Sequence, residues 1–471
     1  MRVLRILCFV LLSVKGFVFS QNEIRVNNEL TLQNYLSIVT LYHPLSKQAD
    51  LVSKMGDAQR LAARGGFDPN VSSTLDHKQF NDKNYWFLWE SKLEIPTWYG
   101  IEILAGYQYL QGDYFDTHER TPDIGLPYAG ISASLGKNMF MDDRMAALKK
   151  AKIYSESADI ERQLLLNDLY FEAIQAYLDW TYKYYQLKVY KTATKVAEER
   201  FVLTRNQFLL GEKPAMDTVE MLTVYQSRLI GLSLAENEFK NSQLKLSNFL
   251  WFENNTPIIL PDTIIPNLSD SLVHQNLFTQ DSLVSLITNL SEQNLVLQQL
   301  NLKQSQLKID RTLKLNKVLP QLDVTYNFLY NESQPVYITN NYKFGVQFKF
   351  PLFFRKEIGD LKLAKFKLQD NQLKTEYKTL ELRNKINAAY NDYITSKEQL
   401  LLNEAMLTNY KTLFDAETIK FLLGESTVFM VNSRETKYLE SLIKVEEVKT
   451  KVVKSLFYIY WTSSTMRTNQ N

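Results

Sequence analysis

The chain has 471 residues, 45% hydrophobic, 23% charged and 13% aromatic, with 54 basic against 52 acidic side chains. With only 15 Gly and 12 Pro it is neither collagen-like nor a largely disordered linker. Beyond residue 20 no apolar run approaches the ~18 residues of a membrane helix, which excludes a polytopic helical transporter but not a β-barrel, whose strands alternate.

Met1–Ser20 reads as a secretory signal. Arg2 and Arg5 give a basic start, Ile6–Val14 an apolar core, and Val18-Phe19-Ser20 the cleavage positions, so the mature chain begins near Gln21. Lys15, just after the apolar core, is unusual there. The sole cysteine, Cys8, lies inside this segment, which leaves the mature chain without thiol, disulfide or cysteine-ligated metal. Removing three cations and no acid (Arg2, Arg5, Lys15) takes the formal charge from +2 to about −1, a balance that gives no support to nucleic-acid binding.

Opening helices follow over 25–65, then strands over about 67–136. Val71–His77 and Ile131–Leu135 are the first-half strands; Ile131, Ala133 and Leu135 face one way, Ser132 and Ser134 the other. An extra hairpin lies within 86–110. Trp89, Ser91, Leu93 and Ile95 alternate with Glu90, Lys92 and Glu94, and Ile101 to Tyr109 alternate likewise. Trp86, Trp89, Trp98, Tyr99, Tyr107 and Tyr109 crowd it as aromatic girdles crowd a bilayer interface. A soluble sheet with one wet face has the same composition.

Met141–Leu210 contains neither Pro nor Gly, and its apolar residues keep 3-4 spacing: Leu166, Leu169, Ala173, Ala176, Trp180, Leu187, Tyr190, Ala197, Phe201, Phe208. That seam predicts a coiled-coil rod of ~105 Å at 1.5 Å per residue. Gly211 caps its end, Pro214 suits the first turn of the next helix, and the chain returns over Ala215–Phe252 to close a hairpin over 141–252. A linker rich in Asn, Pro and Asp covers 253–275. Helices over 278–318, strands over 322–350 and a second hairpin over 355–462 follow, with a tail at 463–471. Leu322 to Phe328 and Phe344 to Phe350 alternate without error, placing Asp323, Thr325 and Asn327 on one face and Gln347 and Lys349 on another polar face.

The two parts are one plan repeated. Phe208-Leu209-Leu210-Gly211-Glu212 recurs as Phe421-Leu422-Leu423-Gly424-Glu425, an offset of 213. The same offset places Ala176-Tyr177 over Ala389-Tyr390, Asp179 over Asp392 and Tyr225 over Tyr438. It carries the seam to Leu382, Ile386, Ala389, Tyr393, Leu400, Leu407, Tyr410, Phe414 and Phe421. The period far exceeds a solenoid repeat. Four to six strands cannot close a barrel, which takes about eight, but several identical chains can close one by symmetry. The helices then continue as a cylinder, the polar strand faces (Ser132, Ser134, Asp323, Thr325, Asn327, Gln347, Lys349) line a wet interior, and the apolar faces meet lipid.

The ordered set of local patterns resembles the TolC-like outer-membrane efflux proteins. Leu30–Pro44 with its closing His43-Pro44 resembles the family's opening helix; Phe67-Asp68-Pro69 and Leu319-Pro320-Gln321-Leu322 resemble the two approaches to its barrel strands. Gly130–Phe140 and Gly345–Phe354 resemble the strands leading into its long helices, and Gly211–Glu220 and Gly424–Glu435 its hairpin tips. The resemblance implies a mainly α fold with a membrane β-barrel portion, built as a duplicated helix–strand–strand–long hairpin unit. It implies a homotrimeric channel in the outer membrane of a Gram-negative bacterium, normally with four strands per chain in a twelve-stranded barrel and an α-helical barrel in the periplasm. The partners implied are outer-membrane lipid, a periplasmic adaptor docking at the tips (Gly211, Glu212, Lys213, Gly424, Glu425, Ser426) and an inner-membrane pump. The tips also imply a gate. Asp217 fills the family's acidic position in the first half and Met430 in the second, with Asn432, Arg434 and Glu435 nearby. A helix-start role for Asp217 is the simpler reading. The extra hairpin departs from the family pattern; it lengthens the wall, folds outside it, or raises the strand count.

Chemistry for catalysis is not apparent in the sequence. His43, His77, His118 and His274 fit no metal spacing, and there is no nucleophile elbow or phosphate loop, so neither an enzyme nor a cofactor is expected. Asp142-Asp143-Arg144 is a helix start, and Lys149-Lys150 and Glu198-Glu199-Arg200 read as solvated coiled-coil faces. The alternative to an export duct is a non-channel periplasmic coiled-coil adaptor, which has no reason to repeat its whole plan.

Overall fold

The computed structural model describes residues 28–98, 100–116, 120–137, 139–330 and 340–466. The signal segment, the cleavage position at Gln21, Tyr99, His118 and the end of the tail lie outside these.

A short strand, Glu29–Thr31 (β1), opens the chain. Thr31 then caps Leu32–Tyr42 (α1), its hydroxyl accepting from the Asn34 amide at 3.2 Å. Pro44 starts Pro44–Arg64 (α2), so His43 before it is extended, at φ −64° and ψ 133°. His43 is buried, stacks on Phe249, and accepts from the Leu45 amide through Nδ1 at 3.1 Å. Burial holds its pKa below the ordinary 6.5, against an opposing hydrogen bond at the Asn248 backbone. The unfolded chain therefore binds the proton first as pH falls. The stability from neutral His43 is full above pH 6.5 and is lost on acidification through the lower folded value. His43→Asn keeps a capping oxygen and should flatten the fall in unfolding midpoint between pH 7.5 and pH 5; an unchanged fall would clear His43 of that role.

Four strands follow: Asn70–Phe80 (β2), Lys83–Pro96 (β3), Ile101–Gln111 (β4) and Leu126–Gly136 (β5). The chain then enters Asp143–Leu209 (α3), 67 residues, ~100 Å long. Asp142 caps it, Oδ1 accepting from the Met145 amide at 2.6 Å. Arg144 of the first turn reaches Glu102 of β4 at 2.8 Å, and Phe67 stacks on Trp98 at 4.4 Å, so the β3–β4 turn is tied to the root of the rod.

Ala215–Ser247 (α4) packs back along α3. It ends five residues before Phe252, correcting the sequence reading. Trp251–Phe252 (β6) instead pairs with Thr256–Pro257 (β7), across a turn in which Asn254 and Asn255 take positive φ. Pro214 sits at the cap of α4 rather than within its first turn.

The connection to the second half holds Ile265–Asn267 (β8), parallel to β1, and Asp270–His274 (α5). The expected helical stretch 278–318 is three pieces: Gln280–Thr288 (α6), Leu290–Gln293 (α7) and Leu295–Asn316 (α8). Asn294 makes the second break. Fully buried, it accepts from the Val296 and Leu297 amides and donates to the Thr462 carbonyl at 3.1 Å. Gln321–Leu329 (β9) and Tyr342–Lys349 (β10) lead into Arg355–Leu422 (α9), 68 residues, and Val428–Ser463 (α10) returns.

Shifting α3 by 213 gives the limits of α9 to within one residue, and the aromatic pairs follow. Phe201 stacks on Tyr225 and Phe414 on Tyr438, with interplanar angles of 8° and 12°. One core cluster joins both repeats at mid-height. Tyr177 pins it, its hydroxyl donating to Leu30 O at 2.7 Å and Asn267 O at 3.0 Å across the β1–β8 pair. Above this belt α2 and α8 flank the rods; below it α4 and α10 do.

Candidate channel wall and helical tips

The strands form one antiparallel sheet in the order β10-β9-β5-β4-β3-β2. The extra hairpin is thus inside the sheet, and the chain carries six strands there rather than the four of the family pattern. The sheet does not close on itself: β2 and β10 are its free edges and are exposed along their whole length.

Pairing register assigns the faces. One runs Val71 and Leu75, Trp89 and Leu93, Ile101 and Ile103, Ile131 and Leu135, Leu322 to Phe328, then Phe344 to Phe348. It is mainly apolar across all six strands, with Ser73 and Ser91 hydrogen-bonded to each other within it, and open in the single chain, Ile103 at 46% and Val346 at 55% exposure. The opposite face carries the expected Ser132, Ser134, Asp323, Thr325, Asn327, Gln347 and Lys349. Ser134 donates to Asp323 at 2.5 Å, Gln321 to Asp323 at 2.7 Å, and the Ser132 and Thr325 hydroxyls lie 3.3 Å apart. The sequence reading left Glu90, Lys92, Glu94 and Glu102 out of this set, although their alternation carried the signal; Lys92 and Glu94 form an ion pair. Tyr128 lies over Gly106, where a Cβ would come within 2.5 Å of the ring.

The tips are built twice. Glu212 N–H bonds Gln207 O at 2.8 Å and Gly211 N–H bonds Phe208 O at 2.9 Å; Glu425 to Lys420 and Gly424 to Phe421 repeat the pattern. This turn needs the left-handed backbone of Gly211 and Gly424, φ 78° and 80°. Both tips present Leu pairs to solvent, Leu210 at 75% and Leu423 at 70%. The Lys213 ammonium rests 4.7 Å from the Phe421 ring centroid, joining one tip to the other.

The candidate gate residues are not brought to one point. Asn432 faces Glu220 and Met221 of α4 at 3.5 Å, and Arg434 lies 3.9 Å from Glu417 of α9. Asp217 has no ion-pair partner among the described residues. Of the two charge runs read as solvated, Lys149, Glu198 and Glu199 are exposed, as read, while the remaining member of each run also finds a partner. Arg200 pairs with the buried Glu435 at 2.9 Å, and Lys150 with Asp310 of α8 at 2.7 Å. Arg228 adds a bond to Thr436 at 2.9 Å. Their partners lie more than 150 residues away, outside the reach of local charge patterning.

Among the described residues no helix is long and apolar enough to cross a membrane, and no cluster of three or more His, Asp or Glu is placed to hold a metal. Residues 286–456 match the family model described as outer membrane efflux protein. Over that stretch the chain is similar to that family. No curated protein matches it by sequence. The fold is that of solved outer-membrane channels. The Campylobacter jejuni CmeC outer membrane channel aligns at TM-score 0.65 and 12% identity over 93% of this chain and 87% of its own. VceC from Vibrio cholerae aligns at 0.65 and 11%, over 92% and 96%. The open state of the Neisseria gonorrhoeae MtrE channel aligns at 0.66 and 12%, over 93% and 91%. At 11–12% identity the likeness is one of fold.

Proposed function

We propose that three copies form the passive exit duct of a tripartite export system, driven by an inner-membrane pump through a periplasmic adaptor. The observation that carries this is the six-stranded sheet, with a mainly apolar face outside and a charged face inside, rooted on ~100 Å rods. A soluble adaptor gains nothing from exposing so broad an apolar face, whereas a barrel wall requires it. The exposed Leu pairs at the tips are the docking surface, shaped by Gly211, Glu212, Lys213, Gly424, Glu425 and Ser426. In planar bilayers the purified protein should give discrete conductance steps. A protein that leaves the membrane without detergent and gives no steps would sink the duct.

Asp217, as the gate candidate, belongs to the same reading. It lies in the first turn of α4, whose cap residue Pro214 supplies no side-chain bond, so its helix-end contribution is only ~0.3–1 kcal/mol. Asp217→Ala should raise resting conductance with little change in unfolding midpoint. Unchanged conductance would leave Asp217 as a helix-start charge.

A further inference from the structure

We infer that the assembled wall is an eighteen-stranded barrel, closed by pairing β2 of each copy with β10 of the next. This rests on the three-copy duct above and adds what seals it. In lipid, every edge N–H and C=O needs a partner, and among the described residues β2 and β10 have no strand on their outer sides. The occupant must be another copy, because the two edges complement each other. The strand number is even and every pairing is antiparallel, so β2 and β10 run in opposite directions. Setting β2 of one copy beside β10 of the next therefore continues the alternation around the ring. The faces continue as well: Val71, Ser73 and Leu75 meet the level of Phe348, Val346 and Phe344 outside, while Asp76 and Lys343 come to the inner side.

The sheet also has the stagger of a closed barrel. Lys349, Gln321 and Gly136 are level at the end nearer the helices. Ile101 then pairs with Ala133, Pro96 with Glu102 and Asn70 with Glu94, so this rim climbs about six residues over five strand steps. At ~3.3 Å per residue and ~4.8 Å between strands, the tilt is about 40°, within the 35–45° of membrane barrels. Eighteen strands so tilted have a circumference of ~113 Å, whereas twelve give only ~75 Å. The helical part is four helices wide per chain at every height: α2, α3, α8 and α9 above the belt, and α4, α3, α10 and α9 below it. Twelve helices at ~9–10 Å spacing make ~110–120 Å. The wall and the cylinder therefore match only if the β3–β4 hairpin counts as wall, and the lumen then reaches ~25 Å, with Glu90, Lys92, Glu94 and Glu102 among its lining.

Two measurements test this on the full-length trimer. A cryo-EM reconstruction of the unmodified protein should show eighteen strands; a twelve-stranded wall with the hairpin outside or inside it would overturn the inference. Disulfide cross-linking tests the seam, because Cys8 is the sole native cysteine and lies in the signal segment. Ser73→Cys combined with Val346→Cys or with Phe348→Cys covers the two registers that preserve both the faces and a tilt of about 35–45°. At least one pair should convert most of the protein to cross-linked dimers and trimers on denaturing gels. Ser132→Cys with Thr325→Cys, adjacent within one chain, should cross-link without changing the copy number. If that control forms and neither seam pair does, the eighteen-stranded wall fails. Native mass spectrometry separates the two readings. A trimer without seam cross-links refutes the wall and leaves the duct, while a copy number other than three refutes both.

Discussion

Trp180→Ala should cost about 3–5 kcal/mol of stability, the largest single-site loss in the chain. Trp180 is fully buried at mid-height of α3, edge-on to Tyr177 at 5.7 Å, inside the cluster that joins the two repeats. The belt around it has no slack to collapse. Tyr177 is held by two carbonyl bonds, and Ile386 and Tyr393 of α9, in the same cluster, are themselves fully buried. Trp180→Phe is the informative contrast. The indole N–H has no partner among the described residues, so replacing it removes an unsatisfied donor while keeping most of the ring. That variant should stay within ~1.5 kcal/mol of the parent. Guanidinium unfolding followed by far-UV circular dichroism in detergent reads both. A loss below 1 kcal/mol for the alanine variant would show that the belt is not what holds the halves together.

Charging the tips should act the opposite way, on function without the fold. Leu210→Asp with Leu423→Asp replaces two side chains already largely in solvent, so stability should move by no more than ~0.5 kcal/mol. If the tips are the docking surface proposed above, the same side chains would lie within an apolar contact with the adaptor. Burying two carboxylates there should weaken binding by at least ~30-fold, about 2 kcal/mol. Cross-linked envelopes analysed by mass spectrometry give the yield of co-purified adaptor, and bilayer recordings check that the channel still conducts. Undiminished adaptor recovery would move the docking surface off the tips.

The rods, the tip glycines and the alternating strands were legible in the sequence because each is a local periodicity. The offset of 213 was legible because duplication left Phe201/Phe414 and Tyr225/Tyr438 in matching places. What alternation cannot give is a neighbour. The pairing of β5 with β9 joins residues about 190 apart, and it makes one sheet of both halves. The hairpin's place between β2 and β5 was equally hidden, since Glu90 or Ile103 alternates the same way in a wall or an appendage. Seam spacing also hid that α3 is enclosed on several sides near the belt, where Tyr170, Phe171, Ile174 and Leu178 join Trp180 in being buried. Arg200 and Lys150 looked solvated because their partners come from other helices. The break after Ser247 left no Pro or Gly to announce it.

The cross-ties near the tips have a mechanical consequence. Arg200–Glu435, Arg228–Thr436 and Lys213 on Phe421 fasten the first hairpin to the second along their free ends. Two arms fastened at the far end cannot scissor; they swing together about their root at the belt. With α4 about 50 Å long, a rotation of only ~5° at that pivot displaces the tip by ~4 Å, nearly the width of a side chain. The fold is therefore a lever of high gain. In the duct proposed above, small rearrangements around Tyr177 and Trp180 would become large displacements at the tips, and the stiffness of the belt would set the force needed to open it.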